Sequence, residues 1–183
     1  MSQTKILGEY AFRKTEMIAG FNFTAAGTFQ FFFSYGAVDR SAAGTFTVEG
    51  NTIKLTSNKE AGKDFTVTAQ SKDATGYTIN FTHANKYLLQ NIYCVFFVNG
   101  EKQEAVTDNK GEIHVDLAHC DSIYAKHLLF PDIVTQVKDA GNENNRFTLA
   151  LNPSLEQLSF KGIDLTIEND GSLSWLPNYF LEM

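Results

Sequence analysis

The sequence predicts an all-β protein, an antiparallel meander followed by a β-sandwich, with little helix. Three observations carry that expectation. The chain holds 16 Phe, 7 Tyr and 1 Trp among 183 residues, together with many Thr and Val, side chains that pack well on a pleated surface. Apolar and polar residues alternate with period two over long stretches. Short Gly, Asn and Asp clusters separate those stretches, and no long helical pattern interrupts them.

The elements follow in order. Phe21 and Phe23 alternate with Asn22 and Thr24, and Ala25-Ala26-Gly27 supplies a turn. From Thr28 to Tyr35, the residues Phe29, Phe31, Phe33 and Tyr35 share one face, while Gln30 and Ser34 share the other with Phe32 between them. Gly44 to Val48 and Thr52 to Thr56 flank Glu49-Gly50-Asn51 as a hairpin. Asp64 to Ala69 and Tyr77 to Thr82 form another pair. The polar stretch from His83 to Gln90 reads as a linker or short helix. It divides the chain into 1–84 and 85–183, unless the two parts merge into one continuous β domain.

The second part opens with Ile92 to Val98, an apolar run that predicts a strand buried on both faces, closed by Asn99-Gly100. Further strands are expected at Glu104–Thr107, Glu112–Leu117, Ser122–Ala125, Ile133–Val137, Arg146–Leu151 and Gly162–Ile167. Gly141 to Asn145 reads as an exposed loop and Pro153 to Leu158 as one helical turn. After Asp170-Gly171 the last strand, Ser172 to Leu176, is expected to bury Trp175. Pro177 cannot donate to a ladder, so Tyr179 and Phe180 are expected to fold back over the sheet. The rival expectation is an exposed aromatic platform.

Charge narrows the function. The net charge is -6 and the pI about 5.2. Nucleic-acid binding requires a basic footprint that replaces counterions, and none is visible. Anionic membranes are disfavoured for the same reason, and no segment has the ~20 apolar residues of a span. The chain lacks an N-terminal apolar run of signal length. The expectation is a cytoplasmic protein if Met1 is the native start, and a secreted or periplasmic one if a signal has been removed. Asn22-Phe23-Thr24 and Asn80-Phe81-Thr82 fit the glycosylation sequon, but both lie in strand patterns.

Two resemblances bear on the fold. Asn99-Gly100-Glu101, Ala105-Val106-Thr107-Asp108 and Gly111-Glu112-Ile113-His114-Val115 resemble a carboxypeptidase-regulatory-like, or transthyretin-like, β-sandwich. The Gly-containing first strand of that module is replaced here by Asn91 to Val98. The meander from Phe21 to Thr56, with Ser34 to Arg40 followed by Gly44-Thr45-Phe46, resembles lipocalin-like domains of uncharacterised bacterial proteins. Neither resemblance implies an activity. The first implies a folding or docking module, the second a sheet that holds small apolar ligands.

No nucleophile elbow, phosphate-binding loop, zinc-protease helix, calcium loop or dinucleotide fingerprint occurs. The expectation is a non-catalytic protein without cofactor or metal. His114, His119, Cys120, Asp121 and His127 are residue types that suit zinc, but their spacing matches no recurrent pattern. Cys94 and Cys120 are expected to be free, buried thiols. The candidate recognition site is the connection from Tyr35 to Arg40. There Tyr35, Asp39 and Arg40 offer polar contacts, Gly36 permits close backbone approach, and Phe31 and Phe33 line an apolar cavity. The alternative is that Asp39 pairs with Arg40 and the Phe stripe is simply core. The function expected is recognition of an unknown protein or a small apolar ligand. The alternative is a structural or protein-interaction β module without a small ligand, and the third reading is an enzyme or metal-binding protein with dispersed site residues.

Overall fold

The computed structural model describes residues 6–36, 38–175 and 180–181. The chain is all-β and divides into two compact units, 1–59 with 156–183, and 60–155. The second unit is therefore inserted into the first. The contacts do not divide at the expected boundary after residue 84. No helix among the described residues is long and apolar enough to cross a membrane.

The first unit is one eight-stranded antiparallel sheet. Its strands are β1 (Gly8–Lys14), β2 (Met17–Phe23), β3 (Thr28–Tyr35), β4 (Val38–Glu49) and β5 (Thr52–Ser57), then β14 (Lys161–Ile167), β15 (Leu173–Ser174) and β16 (Phe180–Leu181). β16 returns beside β1, so the sheet nearly closes on itself. Period two decides which residues face inward. Tyr10, Phe21, Phe31 and Ala42 stand opposite one another across β1 to β4 and form one inner row. Phe23 and Phe29 belong to the next row. All six are buried. The ring of Phe21 lies 4.6 Å from that of Phe31 and 6.1 Å from that of Trp175.

At Gly44 the sheet comes closest to itself. A Cβ there would sit 2.0 Å from the Thr56 carbonyl oxygen, so only glycine lets β4 pass β5 at this point. Before Gly44, β4 pairs with β3 and leaves its other edge open. Leu158 N–H donates to Ser41 O at 2.7 Å and Asn58 N–H to Ala43 O at 2.8 Å, which closes that edge. The chain thus departs and returns at neighbouring points, and Lys59 Nζ donates to Gln157 O at 2.7 Å.

The inserted unit is a sandwich of two four-stranded sheets. One has the order β10 (Glu112–Val115), β7 (Tyr77–Thr82), β13 (Arg146–Leu151), β6 (Phe65–Ser71), with β7 and β13 parallel. The other has the order β12 (Phe130–Lys138), β11 (Ser122–His127), β8 (Ile92–Val98), β9 (Glu101–Val106). Ile79, Phe81, Phe147 and Leu149 of the first sheet and Ile92, Cys94, Phe96 and Ile123 of the second are buried. Tyr77 and Phe96 meet edge to face at 6.2 Å. Asn99 and Gly100 both adopt positive φ, as a tight β8–β9 turn demands.

Several expectations need correction. β8 is buried on one face only, with Tyr93, Val95 and Phe97 half-exposed. A buried run cannot show by periodicity which of its faces lacks a cover. β1 was not expected as a strand, and β15 is shorter than the segment from Ser172 to Leu176. Residues 176–179, including Pro177 and Tyr179, lie outside the described residues. Phe180 extends the sheet as part of β16, rather than folding over it. Trp175 packs on Phe21, Phe31 and Phe160 as expected of a core residue. Asn145, expected in an exposed loop, is buried, and its Nδ2 donates to Ala74 O and Gly76 O. It pins the β6–β7 connection to the start of β13.

The adjacency of Lys59 and Gln157 generates a test of the insertion. Replacing 60–155 by a short Gly-Ser turn should leave a folded protein with a β-type circular dichroism spectrum, cooperative melting and blue-shifted Trp175 emission. An unfolded product would show that the first unit depends on the second.

His127 generates a second test. Its Nε2 donates to Leu88 O at 3.2 Å and its Nδ1 accepts from Leu129 N–H at 3.1 Å, so the neutral ring is fully used. Burial holds the imidazole below the usual histidine range. As pH falls, the unfolded chain takes up this proton first, near ~6.5. The stabilisation is complete above that pH and is lost as pH falls through the folded-state value. The urea midpoint should therefore drop more steeply from pH 7 to 5 in the native protein than in His127→Gln, which keeps a donor but does not titrate. Equal slopes would exclude His127 as the source.

Candidate functional site

The outer face of the eight-stranded sheet carries a cleft of about 520 Å³ over β1 to β4. Two ladder rows explain it. In one row Glu9, Asn22, Gln30 and Ala43 stand side by side on successive strands. In the next, Ala11, Gly20, Phe32 and Ser41 do so. Neighbouring strands lie ~4.8 Å apart, so the side chains of each row reach a common ligand. The second row is mostly small residues, which lowers the sheet surface between taller neighbours. Arg13 and Gln157 complete the rim, and Tyr10, Phe21, Phe31 and Ala42 of the inner row back it from beneath.

Gly20 and Phe32 are a pair. A Cβ on residue 20 would meet the Phe32 ring at 2.6 Å and Tyr10 O at 3.0 Å. The absent side chain lets the ring lie over the β2 backbone, yet Phe32 remains 47% exposed. The floor is therefore aromatic and open to solvent. Around it, among the described residues, the side chains of Glu9, Arg13, Asn22, Gln30, Ser41 and Gln157 make no hydrogen bond or ion pair within the chain. Carboxylate, guanidinium, amide and hydroxyl groups are all represented, so donors and acceptors both face the cleft.

The residues expected to form a site are distributed differently. Tyr35 to Arg40 is not an open connection: Tyr35 pairs with Val38, Ser34 with Asp39 and Phe33 with Arg40 in a tight hairpin. Gly36 takes φ 57°, which the turn requires. Ala37 lies outside the described residues. Pairing fixes the faces. Arg40 shares the inner face with Phe33, whereas Asp39 points to the other side, and Tyr35 is 53% exposed at the hairpin end. Phe31 is the one expected residue that lines the cleft, and it does so from the core side, packed at 5.3 Å against Phe160 and 5.7 Å against Trp175.

The expected zinc-type residues go to separate partners. His114 contacts Thr78 Oγ1, His119 pairs with Asp121 at 2.8 Å, and His127 bridges Leu88 and Leu129. The Asn99 N–H and His119 hold Asp121 below the usual carboxylate range. Among the described residues no three His, Cys, Asp or Glu side chains come together as a cation site. Cys94 and Cys120 are free and buried, and burial raises both thiols. Such thiols are poor nucleophiles.

Sequence reasoning missed Glu9, Arg13, Asn22, Gln30, Ser41 and Gln157. The available signals were Phe32 on an otherwise polar face and Gly20 inside a strand pattern, which marks close approach.

No family model matches the chain, and no curated protein or solved structure shows significant similarity to it. What the structure shows is coarser than either resemblance: an all-β chain with one nearly closed antiparallel sheet and two further sheets.

Proposed function

We propose that this chain is a non-catalytic binding protein that recognises a small molecule in the cleft on β1 to β4. One observation carries the reading: six polar side chains without partners among the described residues surround a half-exposed aromatic ring in a cleft of about 520 Å³. Ligand sites commonly measure ~300–1,000 Å³ and fix orientation with a few polar groups. Each hydrogen bond made there contributes about 0.5–1.5 kcal/mol, and covering Phe32 adds apolar burial.

In this reading recognition takes place on the barrel wall. The packing of Phe21, Phe31, Phe160 and Trp175 speaks for a filled interior around Phe31. We read the first unit as lipocalin-like, on the strength of its nearly closed antiparallel sheet, with its ligand outside. We read the inserted unit as regulatory-like, on the strength of its two four-stranded sheets. A second reading, docking of a protein partner with apolar side chains, draws on the outer face of the β12-β11-β8-β9 sheet. There Val95, Phe97, Tyr124 and Val134 line a shallow depression of about 470 Å³.

Screening the intact protein against a diverse small-molecule library by thermal shift tests the first reading. Hits should lose about tenfold in affinity, or ~1.4 kcal/mol, in Asn22→Ala or Gln30→Ala, with little change in melting temperature. Hits indifferent to both substitutions would place recognition elsewhere. A partner whose binding is abolished by Tyr124→Ser would favour the second reading.

A further inference from the structure

We infer that the ligand of this cleft is a neutral saccharide, with one sugar ring stacked over Phe32 and its hydroxyl groups directed to Glu9, Asn22 and Gln30. The inference rests on the cleft being the binding site and adds the class of ligand.

Charge comes first. The lining holds one carboxylate, Glu9, one guanidinium, Arg13, and no lysine. An anionic ligand would meet Glu9 and a cationic one Arg13, whereas a neutral ligand meets no such conflict. Hydrogen bonding comes second. Asn22, Gln30 and Gln157 each offer an acceptor oxygen and two N–H donors, Ser41 both donates and accepts, and Glu9 accepts only. A ligand that satisfies this mixture must donate and accept through several closely spaced groups. A polyol ring does so, because every hydroxyl has both capacities.

Shape comes third. Among the residues that line the cleft, Phe32 is the large apolar side chain left exposed. Phe32 lies over Gly20, with Ala11 beyond the glycine on β1 and Ser41 opposite on β4. A hydrocarbon ligand would leave the surrounding amides and Glu9 unpaired and desolvated, which is costly. A pyranose presents one face of C–H groups, and these carry the positive character that the negative face of an aromatic ring attracts. Its hydroxyls project sideways at the rim. The ladder supplies the matching arrangement, since the polar row Glu9–Asn22–Gln30 runs alongside the row holding Phe32.

The test uses the intact protein and an array of neutral mono- and oligosaccharides, with the best binder measured by calorimetry. Sialylated glycans and adenosine serve as anionic and nucleobase comparators. The expected result is binding of at least one neutral saccharide with micromolar to millimolar Kd. Phe32→Ala and Gln30→Ala should each weaken it tenfold or more. Phe32→Tyr should retain it, which separates stacking from loss of fold. Absence of saccharide binding at millimolar concentration would overturn the inference, as would binding unaffected by Phe32→Ala and Gln30→Ala. Preference for adenosine or sialylated glycans would overturn it too. Library hits of another class that depend on Asn22 and Gln30 would refute the saccharide and keep the cleft. Hits insensitive to both would refute both.

Discussion

The first unit depends on the ring of Phe21. Five aromatic rings surround it: Phe31 at 4.6 Å, Phe23 at 5.7 Å, Phe160 at 6.0 Å, Trp175 at 6.1 Å and Phe29 at 6.2 Å. Stacked, tilted and edge-on pairs of this kind contribute about 0.5–1.5 kcal/mol each beyond the area they bury. Three partners come from the same meander, but Phe160 and Trp175 arrive only after the chain has built the inserted unit. The first five strands therefore cannot complete their own core. Loop-closure cost grows only logarithmically with length, about 0.6 kcal/mol per doubling. An insertion that folds by itself then leaves only a short gap to close, between Lys59 and Gln157.

That dependence explains which parts of the fold the sequence discloses. Period two tells which face a residue occupies, and it worked for Phe29, Phe31, Ile113 and Val115. β1 carries the same signal, with Tyr10 buried and Glu9 and Arg13 exposed. Hairpins between sequence neighbours are legible because a turn fixes their pairing. The β5–β14 pairing is not, because alternation says nothing of which distant strand will lie alongside. Leu55 meets Ile163 and Ile53 meets Leu165 across more than a hundred residues. The polar dip from His83 to Gln90 instead holds a 3₁₀ turn inside the second unit, with Leu89 buried. The two compact units divide at 59/60 and 155/156.

The candidate site was less legible than the fold, for a related reason. Tyr35, Asp39 and Arg40 are close in sequence and chemically suited to recognition, but strand pairing sends Asp39 to the face opposite Arg40. Residues adjacent along a strand diverge, whereas residues adjacent across strands converge. Glu9, Asn22 and Gln30 are scattered over three strands in the sequence and form one row in the sheet. Only register, which no single segment encodes, reveals them as a group.

The contact between Gly20 and Phe32 has two physical readings, and the row beside it decides between them. An aromatic ring laid over a strand glycine restores some of the packing that the glycine forfeits, so cover for Gly20 could be the whole purpose of Phe32. In that case the neighbouring surface would need no special chemistry. A polar residue at 32 would also continue the alternation of Gln30 and Ser34 and would take away the ring that excludes a side chain from position 20. The sequence does not take that course. It keeps a half-exposed Phe and, beside it, a carboxylate and two amides with no partner among the described residues. Packing explains the ring over the glycine but not the unpaired row. Local departures from the most stable choice gather where a protein's surface has work to do, and here two of them stand on the same face of one ladder, with the inward-facing Phe21–Phe31 rung between them.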